Sequence, residues 1–453
     1  MKLTSNDLHT STAWSLFLIL ATMLVPKSPD ESVVIILLVT YMLTVLTRQL
    51  NLTSRLILWL VLATVYVTCF YESPTTFIIG SLLGAVLGSQ LLRLSHHTKW
   101  LLILPIIGAM TLLSFNRSTD IRQYLRQDPV ATGYGTDGQM FISAYYRLVK
   151  SGNYYPSFRD AHVENLYFYN YVPQTVWAWR PATIFYIWKW ITFGQGELIW
   201  WWSLVMAIGM SISGVVLAEH FLPQKFSHLA LLTSYLLLPM VVDIHSNEIV
   251  TMMEWWAVAL FTIGITCYIS GKKRLALPFL IISCLTRELM IFTFGFLFVA
   301  AWLVKRVEFK RFAAVMVAFA TFAVFHISQA LQAMGQPFAL SRVRGKWHPF
   351  GLDLPLITTS YGSRLYFGSR IHLFWLFWLL ILLFVLVKPS WNKLVVGSLV
   401  LISPLAFLVV GIPPSFHFGL LYTPLMVLLV PATYSVFVHL GTWSTRVKKT
   451  FQP

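Results

Sequence analysis

Continuous apolar runs recur along most of this chain, without the polar alternation of a barrel strand. They lie near 13–26, 32–47, 56–71, 75–92, 100–115, 197–218, 227–242, 249–270, 275–286, 289–304, 312–333, 371–387, 394–411 and 417–439. A helix needs about twenty such residues to cross a hydrocarbon core, fewer with snorkelling ends. The pattern predicts an all-α polytopic membrane protein with about fourteen transmembrane helices. The run 181–194 reads instead as an amphipathic interfacial helix. The runs 275–286 and 289–304 are short, and read either as two crossings meeting at a polar tip or as one re-entrant hairpin.

Two polar stretches interrupt the pattern. One membrane domain over 1–453 then divides into a five-helix segment (1–115), a loop bearing surface helices (116–195), central helices (196–333), a second loop (334–370) and C-terminal helices (371–453). Composition agrees: 57% of residues are hydrophobic and 11% charged, too little polar surface for a soluble protein of 453 residues. The first run lacks a convincing small-residue cleavage site, so no signal peptide is expected.

The net charge of +16 would suggest nucleic acid in a soluble protein; here cationic loops that orient spans are the simpler reading, and no nucleic acid is expected. Basic clusters fall at alternate boundaries: Arg48/Arg55, Arg93/Lys99, Lys225, Lys272–Arg274, Lys305–Arg311, Lys388/Lys393 and Arg446–Lys449. Both termini are therefore predicted to be cytoplasmic, in a plasma or inner membrane. The loops 116–180 and 334–370 and the short turns 243–248, 286–288 and 412–417 are predicted to face outside. Cys69, Cys267 and Cys284 lie in apolar runs and have no metal-ligand spacing.

The outer loops hold the candidate chemistry. In Gly133-Tyr134-Gly135-Thr136-Asp137-Gly138-Gln139 a carboxylate stands among glycines at the start of an amphipathic helix. Asp137 can cap that helix, and the glycines allow a backbone to approach a ligand. Ser151–Pro156 reads as a turn. Trp177–Trp188 reads as a second surface helix with Pro181 in its first turn. Arg180, Arg287 and the stretch Arg342-Val343-Arg344-Gly345-Lys346-Trp347-His348 place cations on the same side, suited to a phosphate; headgroup contact for 342–348 and a local ion pair with Glu288 for Arg287 are equally open readings. Asp243, His245 and Glu248 offer ligands to a divalent cation at a spacing matching no recognised metal motif; sugar hydroxyls or helix caps suit them better, and no metal is favoured. Glu254 reads as lying about two turns inside a span, where a carboxylate pairs or lines a cavity. Met252, Met253, Trp255 and Trp256 read as packing. His417, after Pro413-Pro414, reads either as reaching the outer site or as an interfacial histidine snorkelling to the surface.

An early outer loop with an acidic motif, then Tyr and Ala on a short helix, a Ser-Gly turn and an Arg-Pro-aromatic segment resembles the GT-C superfamily of membrane glycosyltransferases, closest to poorly characterised bacterial members. Leu285-Thr286-Arg287-Glu288 looks like a short outer turn between two central helices of those enzymes. The resemblance spans roughly 130–305 and implies an inverting transfer of a hexosyl or pentosyl group from a polyprenyl-phosphate donor to a glycan, lipid or protein acceptor. Asp137 matches the catalytic carboxylate. The residues expected around the substrate are Tyr134, Gly138, Gln139, Arg180, Asp243, His245, Glu248, Arg287, Glu288, Arg342, Arg344, Lys346, His348 and His417. Two departures are visible: five runs precede the loop where most such enzymes have one, and the loop's motif carries one acid where many relatives have a pair. The competing readings are an oligosaccharide polymerase or ligase, and a lipid-linked-sugar flippase or transporter. The former usually lacks an Asp-bearing loop followed by surface helices; the latter predicts charges at mid-membrane depth and inverted halves.

Overall fold

The computed structural model describes residues 103–129, 136–164, 172–224, 230–335, 354–359, 372–410 and 416–436. The four runs expected between 13 and 92, Tyr134, and the basic stretch 342–348 lie outside them. The described residues are helical and contain no strand.

The elements are α1 (Ile103–Arg117), α2 (Thr119–Tyr124), α3 (Asp137–Ser151), α4 (Tyr154–Val163), α5 (Thr183–Thr192), α6 (Glu197–Phe221) and α7 (Leu232–His245). They continue with α8 (Met253–Ile269), α9 (Lys273–Thr286), α10 (Met290–Val304), α11 (Arg306–Met334), α12 (His372–Leu386), α13 (Trp391–Ala406) and α14 (Thr423–Leu429). Short 3-10 turns occupy Val176–Ala178, Glu248–Thr251, Phe416–Leu421 and Val430–Thr433.

Among the described residues, only α6 and α11 are both long and apolar enough to cross a membrane on their own dimensions. At 1.5 Å per residue, α9 and α10 are only about 20–23 Å long. Their connector, Arg287–Leu289, is polar at its first two positions. The last apolar run is not one helix: 3-10 turns flank the seven residues of α14.

Packing follows from side-chain pattern. Helix α8 is apolar on every face and sits at the centre, against α6 and α9. By contrast α11 buries little of its surface and leaves Val307, Val317, Val324 and Phe325 exposed. Buried indoles are anchored through their N–H groups: Trp255 donates to Ser203 Oγ (2.8 Å), Trp256 to the Val250 carbonyl (2.9 Å) and Trp200 to the His245 carbonyl (3.0 Å). These bonds confirm Trp255 and Trp256 as packing residues.

The loop helices form a layer over one end of the bundle. Helix α3 packs on α4, α5 and the Glu248–Thr251 turn. Gly152 closes α3 in the left-handed region (φ 76°), its N–H on the Leu148 carbonyl. The segment after it, expected to be a turn, continues at once into α4. Trp177 joins a 3-10 turn, and α5 starts at Thr183, two residues beyond Pro181. The layer is tied to the bundle by Arg126, which donates to Glu197 at the start of α6 (2.7 Å). Within the layer, Tyr145 of α3 donates to Thr192 Oγ1 of α5 (2.5 Å), since the Thr192 hydroxyl proton is committed to the Trp188 carbonyl.

Candidate functional site

The start of α3 is built by Thr136. Its hydroxyl accepts from the Gln139 N–H (3.2 Å), and the Gln139 side chain accepts from the Thr136 N–H (3.3 Å), a complete capping box. This corrects the expectation for Asp137: Thr136 caps the helix, and Asp137 is its first residue. The Asp137 carboxylate lies at the positive end of the helix. Gln139, expected near the substrate, is engaged in the box.

The Thr136 hydroxyl has a second role, donating to Glu248 Oε2. Gly138 makes that approach possible. A Cβ at this position would stand 2.6 Å from Glu248 Cβ and 2.7 Å from Glu248 Oε2, closer than atoms pack. The glycine after Asp137 is therefore required by the neighbouring turn. Burial, and then the charge of Asp137, push the Glu248 carboxyl above the usual range, and the Thr136 hydroxyl opposes them. The Gly133–Gln139 motif contributes one acid, but the fold brings a second beside it.

A second group of charges surrounds Arg287, which is fully buried. Its Nε lies 2.8 Å from Glu254 Oε1, its Nη1 donates to Glu288 Oε1, and its guanidinium carbon is 4.7 Å from the centre of the Phe418 ring. His417 Nε2 is 3.7 Å from the same Glu254 oxygen. The charges of Asp137 and Arg180 both bear on His417, and that of Arg180 also on Glu254. Asp137, Arg180, Glu248, Arg287, Glu288 and His417 thus gather at one end of the bundle with Glu254. Arg287 Nη2 and Glu288 Oε2 are buried with no hydrogen-bond partner among the described residues. Unpaired buried polar atoms of this kind are uncommon in proteins.

Glu254 is a residue whose place the sequence misplaces. The residues before it form the Glu248–Thr251 turn, so α8 starts at Met253 and Glu254 stands in its first turn. It is the helix-start carboxylate favoured by the backbone dipole, not a charge two turns down.

Two expected residues stand apart. His245 ends α7 and is fully buried, with Nδ1–H on the Val241 carbonyl (2.7 Å) and edge contacts to Trp200 and Trp255. It packs the core and does not reach the Asp137 group. The Asp243 carbonyl accepts from Ser246 Oγ and Asn247 Nδ2, closing the last turn of α7. Because that helix runs through His245 and Glu248 turns towards Thr136, Asp243, His245 and Glu248 form no common site. Among the described residues, no three His, Cys, Asp or Glu side chains are grouped as a metal ion would need.

A residue not singled out from sequence, His326 of α11, joins the loop to the bundle. Its Nε2 faces the Trp179 carbonyl (3.1 Å), which only accepts, so Nε2 carries the proton. Nδ1 accepts from the Tyr155 hydroxyl (2.9 Å). Tyr154, beside it, donates to the Arg180 carbonyl (2.8 Å) and fixes the backbone that carries Arg180. The sequence signal was a lone histidine in an apolar helix four residues after Phe322, stacked on it at 5.6 Å.

Comparison with family models, with curated proteins and with solved structures finds no match for this chain.

Proposed function

We propose that this chain is a polytopic membrane glycosyltransferase of the GT-C kind, acting outside the cytoplasm on a polyprenyl-phosphate sugar. The observation that carries the reading is the convergence of Asp137, Glu248, Arg180 and the Glu254–Arg287–Glu288–His417 group, from five separate segments, at one end of an apolar helical bundle. In this reading about fourteen helices cross the membrane, both termini are cytoplasmic and the α3–α5 layer lies on the outer face.

The chemistry follows from the groups present. Transfer of a sugar to a hydroxyl needs a base to take the acceptor proton. Asp137, held at the helix start, takes that role. The bond from the anomeric carbon to the carrier phosphate oxygen breaks as the acceptor oxygen attacks from the opposite face, which gives inversion. The phosphate leaves as an anion, and cations placed ahead of time stabilise it. Arg180, half-buried, is the residue suited to meet the phosphate. Arg287 sits deeper, where it fixes Glu254 and Glu288 and offers Nη2. Glu248, with its raised affinity for a proton, holds the start of α3 through Thr136.

Asp137→Asn tests the proposal. Transfer from a polyprenyl-phosphate sugar should fall about 10²- to 10⁴-fold, the usual contribution of a general base, while binding of the donor and the melting midpoint stay as in the parent protein. Undiminished transfer would sink the assignment. Orientation has a separate test. Asn153→Cys should react with an impermeant thiol reagent outside intact cells and Ser390→Cys should not; the reverse labelling would invert the topology.

A further inference from the structure

At the opposite end of the bundle from the Asp137 group, and independent of which group is transferred there, cations crowd three helix ends. Lys272, Lys273 and Arg274 stand at the start of α9, Lys305 joins α10 to α11, and Arg306, Lys310 and Arg311 occupy the first turns of α11. The two starts are held together by Glu308, the one acid among them, which pairs with Lys273 and Arg311. Lys272, Arg274, Lys305, Arg306 and Lys310 are exposed and make no ion pair among the described residues. They gain nothing from the helices that carry them, because a helix start is itself positive. A surplus of like charge on adjoining ends repels itself unless anions cover it.

What surrounds the charges identifies the anion. Leu275, Trp302, Leu303, Val304 and Val307 are exposed between and beside them. The connections are too short to lift the cations away from this apolar surface: Lys305 alone joins α10 to α11, and Ser270–Lys272 join α8 to α9. An amphiphile covers charge and apolar surface together, and a free ion does not. On α11, Arg306, Lys310, Val317, Thr321 and Val324 are all exposed and follow one another at helical spacing, so they share one face. From Lys310 to Val324 that face runs about 21 Å, enough to accompany the chains of one leaflet, half of a roughly 30 Å hydrocarbon core. We infer that this face binds an anionic phospholipid, its phosphate between Arg306 and Lys310 and its acyl chains along Val317, Thr321 and Val324. Lys272, Arg274 and Lys305 add attraction for negative headgroups. A zwitterionic headgroup brings its own cation to the same place and binds more weakly.

The full-length protein in detergent, titrated with dioleoyl phosphatidylglycerol or dioleoyl phosphatidylcholine while its melting midpoint is followed, tests this. The midpoint should rise saturably with the glycerol lipid. Half-saturation should come at a concentration about fivefold or more below that for the choline lipid, the change that one Lys or Arg near an anionic surface supplies. Arg306→Gln combined with Lys310→Gln should abolish that preference; neither side chain leaves an ion-pair partner behind. Lys150→Gln, which removes an exposed cation of α3 at the other end, should keep it. Equal half-saturation for the two lipids in the parent protein overturns the proposal, as does a preference retained in the double variant. Loss of the preference in Lys150→Gln also overturns it, because the attraction is then to net charge and not to a face of α11. An equal rise with inorganic phosphate assigns the cations to a free anion and overturns it as well.

Discussion

Two buried glutamates, one at each end of the central helices, solve the same electrostatic problem differently. Glu308, near the start of α11, has both oxygens engaged: Lys273 Nζ on Oε1 and Arg311 Nη1 on Oε2, each at 2.5 Å. The Lys273 ammonium also lies 5.2 Å from the centre of the Tyr268 ring. Glu254, at the start of α8, shares Arg287 with Glu288 and has His417 only at 3.7 Å. The first cluster is closed and its cations remain partly exposed to water. The second is deeper and incomplete, with donor and acceptor atoms left over. A complete cluster serves the fold, whereas one that leaves buried polar atoms unpaired is a cost to stability that ligand binding can relieve. The predictions below set the two clusters against each other.

The largest effect should come from Arg287→Ala. Removing the guanidinium leaves Glu254 and Glu288 buried without their cation, and losing one member of a buried pair costs about 3–5 kcal/mol. The melting midpoint in detergent should drop sharply and transfer should disappear. If stability is untouched, the cluster does not hold the fold as described. Glu308→Ala should cost about 1.5–3 kcal/mol, the range for hydrogen bonds to a charged group, and leave the transfer rate of the folded protein unchanged. A loss of transfer equal to that of Arg287→Ala would erase the distinction between the clusters.

Gly138→Ala should cost about 1–3 kcal/mol by overpacking against Glu248. It should also lower transfer, because the backbone that moves is the one carrying Asp137; an unchanged melting midpoint would contradict the close approach. The smallest effect concerns pH. The Glu248 carboxyl is held above its unfolded value of about 4.3, chiefly by burial. Its contribution to stability is therefore complete below that value and is lost as pH rises through the raised folded value. Midpoints measured across this window should fall with rising pH in the parent protein and flatten in Glu248→Gln. An identical slope in both would remove Glu248 as the source.

Much of the bundle is legible in the sequence because apolar periodicity is local. The runs near 100–115, 197–218, 289–304 and 371–387 coincide with α1, α6, α10 and α12 to within a few residues. The Thr-x-x-Gln pattern marks the start of α3, although the acid next to it draws the eye as the cap. What the pattern misses depends on residues far apart in the chain. Nothing around Glu254 in the sequence reveals Arg287, and nothing near Glu248 reveals the Thr136 hydroxyl. Helix α4 is hidden because Ser-Gly-Asn followed by Tyr-Tyr-Pro has turn composition, yet its aromatics pack against α5 and α11. Packing of that kind overrides local propensity.

The His326 bridge has a consequence for how the protein is made. Its partner Tyr155 is separated from it by 171 residues. A ribosome adding about 5–20 residues per second leaves roughly ten to thirty seconds between the two. During that interval α3 and α4 exist without the helix that anchors them. Their mutual packing, the Gly152 stop and the capping box are all local contacts, so this pair can hold its shape before α11 arrives. The bond to His326 can form only after the partners of the loop's other anchors, Glu197 and Glu248, have already been made.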